Sequence, residues 1–350
     1  MRRLHAAGHH VSLYFDTHAP LRQLSPLVHN IGGLIPGEPE PEAQRILAAF
    51  VWRASMRPIL ELLPWFGLIR WSHQCSQDAD WLANLEHVVT SSSSQLIVAD
   101  SLFTPAGIAL GWRLFRNATM VQAHTTLVTP VYADGYGLDR PISATAPMYV
   151  SLSSGKFEAN AFGDRVDAAI QYVETLLVWQ VFVQGMLRWH LRALGVDAFS
   201  WHGHFERTLF SVYEQPPVIS FASPQTMELQ LTGTSCASYS ERPLPAGLAA
   251  FLSDQSSRGT ILVALGSNVD WSSAPEHTLH AFLGMMRLLK EYRFVWAYNG
   301  NVLEKLPENV WTSRWLPQTD LLRHNTTRLF ISHGGMKSVK EAICAKGPVL

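Results

Sequence analysis

Apolar residues in this chain alternate between short continuous runs and helically spaced sets, and that alternation predicts an α/β protein. Continuous β-prone runs fall at residues 11–15, 95–99, 260–265, 293–298 and 329–332, as in strands buried on both faces of a parallel sheet. Helical spacing fills the intervals. Leu279, Phe282, Met286 and Leu289 lie on one face of a helix before the 293–298 run, and Ser273-Ala274-Pro275-Glu276 reads as its cap. Met336 begins another helix, running to about Ala345, directly after the last strand. Near the amino terminus, a short helix, a stop at Gly8 and a β-prone run succeed one another, as at the second strand of a doubly wound sheet.

Residues 164–194 form a long helical stretch in which Glu174, Gln180, Gln184 and Arg188 interrupt the apolar run. A bilayer crossing needs about 20 mostly apolar residues, so the expectation is a core-facing helix pair rather than a span. Residues 233–245 combine small polar residues with Pro243 and Pro245, a composition that marks a boundary. The expected division is a first domain at 1–232, a linker at 233–247 and a second domain at 248–350.

Composition narrows the function. The 350 residues are 47% hydrophobic and 16% charged, enough to bury two cores. A net charge of −1 with no basic stripe excludes the electrostatic grip of a nucleic-acid binder. Among 15 histidines, the close pairs His9-His10 and His202-x-His204 lack further nearby ligands, so no metal site is expected. Cys75, Cys236 and Cys344 show neither metal-ligand pairing nor a disulfide framework, and are expected to be buried small residues.

The chemistry concentrates in the last 36 residues. His333-Gly334-Gly335 turns the last strand straight into a helix. A helix start presents backbone N–H groups and the positive end of the dipole, and glycines admit a phosphate closely. His333 can add a ring N–H, Ser338 a hydroxyl and Lys337 a charge, while Glu341 has two acceptor oxygens suited to a ribose diol. Trp315 supplies a flat face for a base. Taken singly, each has a plain structural reading as turn, core or solvated helix pair; the ordered set reads as a nucleotide-diphosphate site. Gly266-Ser267, after the 260–265 run, is a second candidate phosphate loop.

This ordered set resembles the sugar-donor signature of the UDP-glycosyltransferases, the family that includes the animal UDP-glucuronosyltransferases. The resemblance implies that Trp315 stacks on uracil, Gln318 helps hold the uridine and Glu341 binds the ribose hydroxyls. It further implies that His333, with Gly334, Gly335 and Ser338, lies at the diphosphate, joined by Gly266 and Ser267. Two positions depart from the pattern. Lys337 stands where the family commonly has asparagine, and in Lys346-Gly347-Pro348 the glycine is shifted by one.

The implied fold is GT-B: two doubly wound Rossmann-like domains facing across a cleft, with the second domain incomplete and the first lacking its first strand. The resemblance makes the chain truncated at both ends and puts the catalytic histidine upstream of Met1. His5, His9 and His10 are then poor candidates for that base. Asp100, at the end of the 95–99 strand, matches the aspartate that orients the histidine; it reads equally as a cap for a helix near Pro105.

The implied reaction is transfer of a hexosyl or glucuronosyl group from a UDP-sugar, a co-substrate rather than a cofactor, to a small lipophilic acceptor. The alternative is a catalytically deficient pseudoenzyme that binds or modulates complete relatives, so homo- or hetero-oligomerisation stays open. The implied location is the lumenal side of the endoplasmic reticulum membrane, reached through segments outside these residues, since the sequence shows no signal peptide and no transmembrane tail. Asn117-Ala118-Thr119 and Asn325-Thr326-Thr327 are formal glycosylation acceptors compatible with that compartment.

Overall fold

The computed structural model describes residues 2–17, 29–34, 52, 57, 69–70, 73, 76–99, 105–114, 116–124, 157–216, 226–234, 236, 242–266 and 269–350. The chain forms two compact units, Met1–Ile46 with Ser55–Leu231, and Leu47–Ala54 with Thr232–Leu350.

In the first unit, helix α1 (Arg2–Ala6) stops at Gly8, whose φ of 88° is open to glycine at little cost. Strand β1 (Ser12–Thr17) follows and pairs in parallel with β2 (His29–Leu34) as a two-stranded sheet. A separate parallel sheet runs in the order β3 (Leu96–Ala99), β4 (Thr119–His124), β5 (Thr208–Tyr213), β6 (Leu229–Leu231). Helix α2 (Ala79–Ser91) starts where the Asp78 carboxylate accepts the Trp81 N–H. Helix α3 (Pro105–Leu114) connects β3 to β4.

The expected helix pair is instead one continuous helix, α4 (Phe162–Ala193), of 32 residues. Its middle, Leu177–Val183, is a π-helical turn. The wider turn puts Val178 and Val183, five residues apart, on the same buried side as Leu187 and Leu191. Those four side chains join Leu85, Phe199, Tyr213 and Trp201 of the short helix α5 (Trp201–Glu206) in the core. Val166, Ile170, Val173, Leu177 and Val181 are exposed. By length and composition alone the helix is long and apolar enough to cross a bilayer, and a third of its most apolar window is buried.

The second unit is a parallel sheet in the order β10 (Thr327–Ser332), β7 (Thr260–Ala264), β8 (Arg293–Ala297), β9 (Val310–Ser313). Alternate residues face opposite sides. Leu262, Val295 and Phe330 pack with helices α6 (Ala246–Leu252), α8 (Gln318–Arg323) and α9 (Met336–Ala345). Ile261, Val263, Phe294 and Trp296 pack with Trp271 and helix α7 (Glu276–Leu288). The expected cap of α7 is displaced: Ser273 ends a 3₁₀ turn capped by Asp270, and Pro275, which has no side-chain donor or acceptor, occupies the cap position. Beyond α9 the backbone of residues 348–350 pairs with β10 through Pro348 O, Leu350 N and Leu350 O. Strand order reverses between β7 and β10, so their carboxyl ends border the crevice where open α/β sheets bind ligands.

One disulfide corrects the reading of the cysteines: Cys236 is joined to Cys344, with Cα atoms 5.4 Å apart and the two residues 108 apart in sequence. It ties the segment after β6 to the last turn of α9. Cys75 lies outside the described residues. Closing so long a loop restricts the unfolded chain, so Cys344→Ser is expected to lower stability by about 2–4 kcal/mol. Denaturant unfolding with and without a dithiol reductant checks this; identical midpoints contradict it.

The first unit also buries three neutral histidines. Trp112 Nε1–H donates to His204 Nδ1 at 3.0 Å, and His204 Nε2 lies 2.8 Å from the Gln122 amide nitrogen. His124 Nε2 lies 3.0 Å from the other end of that amide, and its ring stacks on Tyr213. Burial pushes His124 and His190 down to about 4, the latter helped by His73. Burial, then His124 and Arg207, pushes His204 down to about 3. Depressed histidines are neutral when folded, while the unfolded chain takes up protons below pH 6.5. Stability is therefore full above pH 6.5 and declines on acidification, steepest from 6.5 to about 4, by about 1.4 kcal/mol per pH unit for each histidine at most. A series of thermal unfolding curves from pH 7.5 to 4.5 should show a falling midpoint; a flat series contradicts it.

Candidate functional site

Strands β7 and β10 are hydrogen-bonded neighbours in register, with Ser332 opposite Ala264. Each leads into a glycine at positive φ, Gly266 at 88° and Gly334 at 77°. The His333 ring fills the space between the two loops. A Cβ on Gly266 would lie 2.7 Å from its Cε1, and one on Gly335 would lie 2.4 Å from both Cε1 and Nε2. Side chains at either position would expel the ring, which is the physical need for glycine there. His333 is exposed as a residue, yet burial of its ring lowers its pKa below the ordinary 6.5. At neutral pH it is an uncharged imidazole with one N–H to donate.

Helix α9 begins immediately after this cradle, and Gly335 at its cap supplies no side-chain acceptor. The N–H groups of its first turn and the positive end of its dipole point out of the β10–α9 turn, a suitable setting for an anion. Lys337 in that turn is exposed and Ser338 is buried.

One turn further on, Glu341 is held by the start of α8. Its Oε2 accepts from Gln318 Nε2 at 2.6 Å, and its Oε1 accepts from Thr319 Oγ1 at 3.1 Å. Gln318 Nε2 also donates to Ser338 Oγ at 3.2 Å. Each carboxylate oxygen keeps a second lone pair, so the pinned Glu341 can still accept from two hydroxyls. Trp315, three residues before Gln318, is 81% exposed, an unusual position for a tryptophan outside a binding surface. Its carbonyl accepts from Ser313 Oγ at 2.8 Å, which fixes the loop carrying it.

The structure thus joins Gln318, Ser338 and Glu341 in one hydrogen-bonded cluster, and Gly266, His333 and Gly335 in one packed cradle. Helix α9 connects the two. Ser267 and Asp100 lie outside the described residues. Thr319 is a member that sequence reasoning missed; its signal is its place beside Gln318 in the first turn of α8. Cys344 sits one turn beyond Glu341, so the disulfide anchors the same helix. Among the described residues, no group of three His, Cys, Asp or Glu side chains is placed to hold a metal ion.

Comparison with known proteins bears on this arrangement. UDP-glycosyltransferase UGT4 of Dactylopius coccus is 39% identical over 113 residues, 32% of this chain and 21% of that protein. UDP-glucuronosyltransferase 1A8 of Homo sapiens is 28% identical over 239 residues, 66% of this chain and 44% of that protein. The chain therefore spans less than half the length of these relatives. Os79 from O. sativa, solved in complex with UDP, superposes with a TM-score of 0.54 at 14% identity, covering 99% of this chain and 76% of that one. SnogD from Streptomyces nogalater gives a TM-score of 0.52 at 14% identity, covering 97% and 80%. These neighbours are GT-B glycosyltransferases, and the two parallel-sheet units described above have that fold. The family model described as UDP-glucoronosyl and UDP-glucosyl transferase matches residues 73–350, and the chain belongs to that family.

Proposed function

We propose that this chain belongs to a UDP-glycosyltransferase whose second unit binds the donor and whose first unit binds the acceptor, moving a hexosyl or glucuronosyl group from a UDP-sugar to a small lipophilic acceptor. The observation that carries it is the placing of the His333 cradle and the pinned Glu341 on one helix at the switch point of the second sheet. Uracil stacks on Trp315, with Gln318 beside the uridine. The ribose diol donates to the spare lone pairs of Glu341. The diphosphate lies at the start of α9, within reach of the His333 N–H, Ser338 and the loop at Gly266 and Ser267.

In the reaction the bond from the sugar's anomeric carbon to the phosphate oxygen breaks, and a bond to the acceptor oxygen forms. Negative charge grows on the departing UDP. The α9 dipole, its backbone N–H groups, His333 and Lys337 are preorganised to receive that charge, so they stabilise the transition state more than the ground state. The acceptor's proton goes to a histidine base oriented by Asp100. No cofactor is required, because the UDP-sugar itself is the activated substrate.

A lumenal, membrane-associated location in the endoplasmic reticulum is part of the proposal. The Cys236–Cys344 disulfide suits an oxidising compartment. Asn117 and Asn325, the two glycosylation acceptors, are both exposed.

Calorimetric titration with UDP tests the site. Glu341→Ala removes charged hydrogen bonds to the ribose and is expected to weaken binding by about 1.5 to 3 kcal/mol, roughly tenfold to more than a hundredfold. Trp315→Ala removes the stacking face and is expected to lose about 1 to 3 kcal/mol. Unchanged UDP affinity in both variants contradicts the assignment.

A further inference from the structure

The loop from β7 to the 3₁₀ turn Trp271–Ser273 is held at both ends. At its start, Gly266 packs against His333. At its end, Asn299 acts as a clamp: its Nδ2–H donates to Val269 O at 3.0 Å and its Oδ1 accepts from Trp271 N–H at 3.0 Å. Trp271 is sunk in the core against Trp296 and Phe282, with ring centroids 4.8 and 5.2 Å away.

A further hold comes from far away in sequence. Trp52 Nε1–H donates to Asp270 O at 2.8 Å across 218 residues. Its ring lies 5.0 Å from that of Trp271, tilted by 59°. Trp52 belongs to Leu47–Ala54, which packs with the second unit although the sequence on both sides of it belongs to the first. Asn299 and Trp271 lie within Thr232–Leu350, so they would hold the loop whatever preceded it. Trp52 makes the loop's seating depend on the amino-terminal part of the chain as well.

We propose that Trp52 is a positioning residue for the donor loop, setting the carboxyl-terminal end of the segment whose other end meets His333. This inference rests on the donor-site reading above. Trp52 does not touch the donor in this arrangement; it acts through Asp270. The indole N–H restrains one carbonyl, and the ring restrains the tryptophan that starts the 3₁₀ turn. With both in place, Asp270 and the start of the 3₁₀ turn are fixed before a diphosphate arrives, and binding does not have to order that end of the loop.

The test separates positioning from general stability with two variants and two readouts. Trp52→Phe keeps an aromatic ring on Trp271 but removes the N–H. Phe282→Leu loosens the same aromatic cluster from helix α7 and leaves the loop's hydrogen bonds intact. UDP affinity by calorimetry and the thermal midpoint are measured for both. Trp52→Phe is expected to weaken UDP binding by about threefold to tenfold, the scale of one neutral hydrogen bond, with a smaller midpoint shift than Phe282→Leu. Phe282→Leu is expected to bind UDP as the unsubstituted chain does. Wild-type affinity in Trp52→Phe overturns the inference alone, as does weakening that follows the midpoint shift in both variants. An unsubstituted chain that takes up no UDP overturns the donor-site reading and this inference together.

Discussion

The second unit depends on one close approach: an imidazole wedged between two glycines at the carboxyl ends of neighbouring parallel strands. Because β7 and β10 are paired in register, the loops leaving them rise side by side. A Cβ on either Gly266 or Gly335 would overlap the His333 ring. The ring therefore fixes how the two loops meet, and the loops fix where its N–H is held. Helix α9 starts at that point, so its dipole is aimed by the same contact. Ser338 and Glu341 follow along α9. Glu341 is braced from α8, and Cys344 is tied back to the segment after β6.

This arrangement explains how a chain of net charge −1 can be read as gripping a diphosphate. On the proposed reading no broad basic surface is required, because the phosphate charge would be matched locally by peptide dipoles, one neutral imidazole and one lysine. Local matching also makes the grip sensitive to geometry. A basic patch tolerates small displacements, whereas N–H groups aimed at a phosphate do not. That sensitivity gives the bracing its purpose: the Gln318 and Thr319 hydrogen bonds, the disulfide on the last turn of α9, and the Asn299 and Trp52 holds on the facing loop.

The elements legible in the sequence were those fixed by local periodicity and punctuation. Helix α9 runs from Met336 to Ala345 as its spacing predicts, and β7, β8 and β10 coincide with continuous apolar runs because both faces of the sheet are covered. The candidate donor residues were legible for a related reason: most sit on one strand–turn–helix unit, so their order in sequence carries their order in space. What escaped was non-local or set by competition. Cys236 and Cys344 lie 108 residues apart, and Trp52 lies 218 residues from Asp270; no spacing rule reaches that far. Ser273 looked like a cap, but Asp270 claimed the adjacent N–H and formed a separate turn. The single helix from Phe162 to Ala193 was hidden by its π turn, which breaks the 3.6-residue period that sequence reading relies on.

The central claim, that a base platform at Trp315 and a phosphate cradle at His333 serve one nucleotide, is tested most directly by nuclear magnetic resonance on the full chain. Signals from the Trp315 indole and the His333 ring are followed while uridine and then UDP are added. The account predicts that uridine perturbs Trp315 alone, and that UDP perturbs both at the same saturating concentration. A titration in which UDP leaves His333 unmoved, or in which the two signals saturate independently, contradicts it.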